Sequence, residues 1–311
     1  MMGNDINIKQ NQDIAINMIA AFRQEYSDVK RLSLFHVSVM VWLPIVLALL
    51  TLALKSQSIT SFIGIPIIDL SVYLSLYCVF VVLADLFVFN KFIESGKELA
   101  AKIQERFDAN VLGLPWNTTL VGPKPDAEVI FRLKNGFFKA KGNKREDLLD
   151  WYNPKVSSVS HYQGVLLCQR MNLYWDKALR ETVNDRVFIA LLCWCAFILA
   201  VAINQDLTLK KLLLTAVCSL LPILSYSIKL ISDNKKSISN LTRLKELLES
   251  AFTEANNQAL TLEKLREVQN EIYQHRKTNR PISDRFYWKR KDDYEGDAQY
   301  SIEQLIDELD G

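Results

Sequence analysis

The chain has 311 residues, with 37 Lys and Arg against 35 Asp and Glu, a net charge of +2, and 50% hydrophobic residues. So balanced a charge argues against a surface that coats nucleic acid, and no DNA or RNA partner is expected. Five cysteines and three scattered histidines lack CxxC spacing, which argues against a disulfide framework, a zinc or iron–sulfur site, or any other metal or cofactor.

In chain order, residues 1–35 are polar and periodic and do not read as a secretory signal peptide. Ile8, Ile14, Met18, Ala21, Phe22 and Val29 fall at helical spacing, predicting an amphipathic helix over 6–34 that runs into an apolar stretch at 36–54. Further apolar stretches occupy 66–89, 187–203 and 209–231, each near the roughly 17–25 residues that cross a bilayer as a helix. They form two tight pairs. The expected organisation is therefore 1–35 as a cytoplasmic amphipathic helix, 36–90 as a first transmembrane hairpin, 91–186 as a cytoplasmic helical domain, 187–231 as a second hairpin, and 232–311 as cytoplasmic C-terminal helices. The fold class is all-α and polytopic, with four transmembrane helices.

Arg23, Lys30, Arg31, Lys91, Lys97, Lys102, Arg106, Lys177, Arg180, Arg186, Lys235 and Lys236 flank the long-segment side of the spans, against Lys55, Lys210 and Lys211 on the short-loop side. The positive-inside rule then places both termini and the central segment in the cytoplasm.

Within the central segment the helix after the second span is expected to continue over 92–110, broken by Gly113-Leu114-Pro115-Trp116-Asn117. Short helices are expected at 126–138 and 146–152, then one long helix over 157–186. After the last span, Leu241, Leu244, Leu248, Ala251 and Ala255, then Leu262, Leu265 and Ile272, predict long amphipathic helices suited to a coiled-coil partner. Phe286-Tyr287-Trp288 forms an aromatic cluster, and 301–309 suits a last short helix.

No nucleophile elbow, P-loop, dinucleotide-binding loop or HExxH pattern is present, so no catalytic residue is nominated and an enzyme is not expected. Ser71, Ser75, Cys78 and Asp85 share a face of the second span, and Thr215, Ser219 and Tyr226 a face of the fourth, with Pro222 between them. Two such stripes suit either a pore lining or close helix packing, and Asp85 is an intramembrane ionisable group that Lys91 could neutralise. In the polar part, Asn172, Asp176 and Arg180 stack at four-residue intervals, and with Arg170, Trp116 and Asn117 they suit either a nucleotide-like ligand or the polar contacts of a helical bundle.

These same residues carry a resemblance. Phe107-Asp108 with Gly113-Leu114-Pro115-Trp116-Asn117, and Cys168-Gln169-Arg170-x-Asn172-x-x-Trp175-Asp176 with Arg180, resemble the SMODS-associated four-transmembrane effectors. Arg23-x-x-Tyr26-x-x-x-Lys30, Ile272-Tyr273-x-x-Arg276, Phe286-Tyr287 and Arg290 are similar to that family's flanking patterns, while Ser283-Asp284-Arg285 departs from them. The resemblance implies an anti-phage effector in the bacterial inner membrane. It would respond to a cyclic oligonucleotide messenger (CBASS signalling), oligomerise, and permeabilise the bilayer so that infection aborts. A non-conducting membrane receptor or scaffold, recruiting a partner through the C-terminal helices, is the alternative.

Overall fold

A computed structural model describes residues 4–142, 144–171, 176–204, 218–257, 259–279 and 306. Among these residues the protein is helical, with no strand. The α-helices are α1 (Ile6–Gln10), α2 (Asp13–Val37), α3 (Leu43–Lys55), α4 (Gln57–Ile63), α5 (Ser71–Ala84), α6 (Asn90–Leu112), α7 (Thr118–Val121), α8 (Ala127–Lys141), α9 (His161–Met171), α10 (Asp176–Asn204), α11 (Cys218–Asn256) and α12 (Leu262–Thr278). A π-helical turn at Ser38–Trp42 joins α2 to α3, and another at Asp85–Phe89 joins α5 to α6.

The chain divides into two compact units. Unit 1 comprises Met1–Lys30, Glu94–Arg180 and Lys235–Gly311; unit 2 comprises Arg31–Ile93 and Glu181–Asn234. The polar segments from the start, middle and end of the chain thus contribute to one body.

Unit 2 holds the apolar sequence. Among the described residues, three helical stretches, Asp13–Lys55, Ser71–Leu112 and Arg180–Ala200, contain a window long and apolar enough to cross a membrane. Residues 209–217 of the expected fourth span lie outside the described residues, and its remainder opens α11, which continues unbroken through Pro222. Large apolar side chains point outward along this unit, among them Trp42, Val46, Leu50, Phe62, Tyr73, Leu76, Phe80, Phe87, Phe188, Ile189 and Leu199. So continuous an exposed apolar surface is what a lipid-facing helix requires and what water would penalise. Inside the unit, Ala48, Leu74 and Cys78 pack together with Leu47 and Tyr77. The Tyr77 hydroxyl donates to the Val39 carbonyl at 2.8 Å within the first π turn, supplying a donor where the helical ladder is irregular.

Unit 1 has a large hydrophobic core built from α2, α6, α8, α9, α11 and α12. The Phe22 ring meets Trp151 edge-on at 5.1 Å and Phe107 at 6.1 Å. Leu244, Leu248 and Ala251 of α11 and Leu265, Val268 and Ile272 of α12 fill the same core, so the periodic C-terminal stripe is satisfied within the chain. Ile306, the described residue of the expected 301–309 helix, is helical and buried there; Phe286-Tyr287-Trp288 lies outside the described residues.

Gly96 lets α2 and α6 approach closely in this unit. A Cβ at Gly96 would stand 2.5 Å from Val29 Cγ2 and 3.2 Å from Glu25 Oε1. Valine is stiff at χ1 and cannot swing aside cheaply. Gly96→Ala is therefore expected to cost about 1–3 kcal/mol in thermal or denaturant unfolding of the detergent-solubilised protein. Most of that loss should be recovered in a Val29→Ala background; equal losses in both backgrounds would refute the clash.

Three local expectations are corrected. Ile8 and Ile14 are exposed, because the helix breaks at Asn11-Gln12; Ile6, Ala15 and Ile19 take their place in the buried stripe beside Met18, Ala21, Phe22 and Val29, which are buried as expected. The 146–152 segment is one 3-10 turn, Glu146–Leu148, followed by non-helical chain. Two N-terminal carboxamides hold it that way: Gln10 donates to the Tyr152 carbonyl at 3.1 Å and accepts from the Tyr152 N–H at 2.7 Å, while Asn11 accepts from the Asp150 N–H at 2.9 Å. Asp150 itself takes a positive φ of 49°. Finally, the expected helix over 157–186 begins at His161, after a 3-10 turn at Pro154–Ser158. Asn4 draws off the Val156 and Val159 carbonyls at 2.6 and 3.0 Å, and Gln163 accepts from the Ser160 N–H at 3.2 Å, one half of a capping box that fixes the start of α9.

Candidate functional site

The buried faces of α6 and α12 bear charges that compensate one another. Glu105 and Asp108, one turn apart on α6, are fully buried. Arg266 of α12 reaches Glu105 at 2.6 Å and Arg276 reaches Asp108 at 2.5 Å. Gln269 lies between the two arginines in sequence, and its Nε2 is 2.8 Å from both Glu105 and Asp108. The Tyr152 hydroxyl donates to Asp108 at 2.7 Å, and Gln169 of α9 donates to the Leu265 carbonyl at 2.8 Å and to Gln269 at 3.2 Å. Two carboxylates and two guanidinia thus balance inside the core. Burial pushes Glu105 above the usual carboxylate range, the neighbouring Asp108 adds to the rise, and the Arg266 charge opposes it. For Arg276, burial alone would favour the neutral form, but the Asp108 carboxylate outweighs it and holds the guanidinium charged. Burial also pushes the Tyr26 hydroxyl up to about 12, and it remains a hydrogen-bond donor, 3.2 Å from Gln104.

One edge of this network opens onto a cavity of about 590 Å³. Asn117, Lys236, Asn240, Arg243, Asn270 and Glu271 contribute to its walls, from the α6–α7 loop, α11 and α12. Asn117 caps α7 by accepting from the Leu120 N–H at 3.1 Å, and donates to Asn270 at 3.2 Å. Asn270 Oδ1 also accepts from Arg266 Nε at 2.9 Å, and Arg266 in turn donates to the Pro115 carbonyl at 3.0 Å. Arg243 pairs with Glu271 on the cavity wall. The cavity is therefore wired through Asn270 and Arg266 to a buried carboxylate on α6.

Of the sequence-nominated ligand residues, Asn117 lines this cavity and Trp116 stands beside it, its indole N–H donating to the Gly122 carbonyl at 2.9 Å and Lys124 lying over its ring. Arg170 sits elsewhere, its guanidinium 5.6 Å from the Phe252 ring centre, and Arg180 is buried. Asp176 opens α10, and Asn172 lies outside the described residues. Lys236, Asn240, Arg243, Asn270 and Glu271 escaped sequence reasoning. They lie more than a hundred residues from Asn117 and share no motif with it; the only sequence signal was the Trp116-Asn117 break itself.

In unit 2 the nominated polar residues are packed. Ser71, Cys78, Asp85 and Ser219 are buried; Ser75 donates to the Ser71 carbonyl at 2.8 Å; Thr215 lies outside the described residues. Asp85 faces His36, with Nε2 to Oδ1 at 2.8 Å and side chains 1% and 3% exposed. His36 stacks on Phe89 at 4.8 Å and meets Tyr226 edge-on at 5.3 Å. His36 thus gathers Asp85 and Tyr226, from the two polar stripes, around one buried ring. Sequence reasoning offered Lys91 for Asp85 and passed over His36. Lys55 pairs with Asp69 at 3.0 Å at the far end of the hairpin, and no group of metal-ligating side chains occurs among the described residues.

The SMODS-associating 4TM effector domain matches the sequence over residues 4–305. The chain belongs to this family. This 4TM effector chain is also 27% identical over 288 residues to a probable CBASS effector molecule of Bacillus cereus (strain VD146), spanning 92% of this chain and 93% of that protein. No solved structure matches it.

His161, at the start of α9, gives the effector's polar unit a sensitivity to acid. Burial holds its ring below the ordinary 6.5, nearby Lys9 adds to the drop, and a backbone hydrogen bond at Leu112 opposes it. A depressed folded-state value means that the neutral ring stabilises the fold above pH 6.5, and that this contribution is lost as pH falls through the depressed value. Acidification from about pH 7.5 to about pH 5 should lower the melting temperature, with a shallower slope in His161→Gln. Parallel slopes in the two proteins would remove His161 from the account.

Proposed function

We propose that this chain is the membrane effector of a cyclic-oligonucleotide-triggered anti-phage system, which permeabilises the bacterial inner membrane once its messenger appears. The reading is carried by family membership across nearly the whole chain, joined to an apolar, outward-facing set of membrane-length helices. The probable CBASS effector from Bacillus cereus, similar over almost its full length, supports the anti-phage setting. In this reading both termini and unit 1 face the cytoplasm, the placement that the flanking Lys and Arg distribution favours. With so few spans per protomer, conduction calls for several copies around a common axis, and the lesion is an oligomer.

The outward-facing apolar helices make the membrane itself the target in this reading. The test is co-expression with a cyclic-nucleotide synthase in cells suspended in a membrane-impermeant dye. Rapid dye entry and loss of membrane potential on induction are expected. Growth arrest with membranes that stay sealed would sink the permeabilising reading and favour a non-conducting receptor.

A further inference from the structure

We infer that the cavity between the Asn117 loop, α11 and α12 is the nucleotide-receiving site, and that it reads base edges and phosphodiesters. The inference rests on the effector reading above and adds the site, its recognition chemistry and its output route.

The size comes first. About 590 Å³ lies inside the roughly 300–1,000 Å³ range of ligand pockets. The lining is then specific in kind. Asn117, Asn240, Asn270 and Gln274 bring four carboxamides to one cavity. Each carboxamide offers a donor beside an acceptor, the pattern that pairs with a purine edge. Glu271 adds a carboxylate that can accept from an exocyclic amine, and its pairing with Arg243 holds both groups on the cavity wall. Lys236 and Arg243 supply positive charge for phosphodiester oxygens. Among the described residues of the lining, Leu120 is the one strongly apolar side chain. The carboxamides, the carboxylate and the two cations suit a ligand with alternating polar edges and diffuse negative charge.

The output route follows from the bonds already made. Asn270 accepts from both Asn117 and Arg266, so a base edge that donates to Asn270 Oδ1 competes with the hydrogen bond that orients Arg266. Arg266 in turn holds Glu105 on α6. α6 belongs to the same continuous helical stretch, Ser71–Leu112, that carries the second membrane window. Occupancy is thereby felt by a buried charge on a helix whose other end lies among the spans.

The experiment uses full-length protein in nanodiscs, titrated with 3′,3′-cyclic di-AMP, 3′,3′-cyclic di-GMP, cyclic tri-AMP and, separately, inorganic phosphate. The variants are Lys236→Ala and Asn240→Ala, both on the outer wall and outside the buried network, with Arg170→Ala as a control away from the cavity. Saturable binding of at least one cyclic nucleotide is expected, weakened tenfold or more by each cavity variant and unchanged by Arg170→Ala. Binding that survives both cavity variants overturns the site while leaving the effector reading intact. If none of the three nucleotides binds, yet a synthase still triggers dye entry in cells, direct reception here is overturned. If no nucleotide binds and no synthase triggers entry, the effector reading fails with it. Competition by phosphate as strong as that by the nucleotides would overturn the base-edge part of the inference.

Discussion

Arg266→Met is expected to be among the most destabilising single replacements in the polar unit, at about 3–5 kcal/mol. It removes the partner of Glu105, a carboxylate with no solvent exposure, and it also strips a donor from Asn270 and from the Pro115 carbonyl. Burial already disfavours the charged form of Glu105, so without Arg266 that group must either protonate or open the core to water. Arg266→Met combined with Glu105→Gln should recover much of the loss, because no uncompensated charge then remains. Thermal melts of the detergent-solubilised protein, with limited proteolysis across α12, would follow both variants. A single variant as stable as the parent would show that the guanidinium is not what balances Glu105.

The second large effect is expected at His36 and Asp85. Each is nearly inaccessible, they meet at 2.8 Å, and both lie in the apolar unit where an isolated charge is costly. His36→Leu or Asp85→Leu alone should loosen the packing of α2 against the π turn of the second span. Together they should cost less than the sum, with a coupling of roughly 0.5–3 kcal/mol in a double-mutant cycle. The single variants should also leak dye without any trigger, since an unpaired polar group draws water among the spans. Strictly additive single and double variants, with sealed membranes in all three, would dismiss the pair as a structural tie.

Much of the architecture was legible in the sequence because it rests on local periodicity. The apolar windows of the first three spans, the continuation of α6 past the membrane, and the Leu241–Ala255 and Leu265–Ile272 stripes all follow from residues close in the chain. The segments read wrongly are those whose backbone is held by distant side chains. Gln10 and Asn11 bind the chain at 150–152, and Asn4 binds it at 156–159, more than 130 residues away. The site was hidden for the same reason. Asn117 was nominated from a helix break, yet Lys236, Asn240 and Asn270 join it only after α11 and α12 have folded across the core. His36 looked like an unremarkable first residue of a span, and no spacing rule connects it to Asp85.

The π turn at Asp85–Phe89 leaves a mark on everything downstream of it. Before the turn, the second span buries Ser71, Leu74, Cys78, Val81 and Asp85, a clean alternation of three and four. An uninterrupted α-helix would carry that stripe on through Phe92; instead Phe92 is exposed, and burial resumes at Ile93, Lys97, Ala100 and Gln104. The surplus residue acts as a phase slip of about 100° in the helical wheel. Upstream and downstream sequence can therefore obey two separate seven-residue rhythms along one rod, and deleting a single residue from 86–88 would force them back into step.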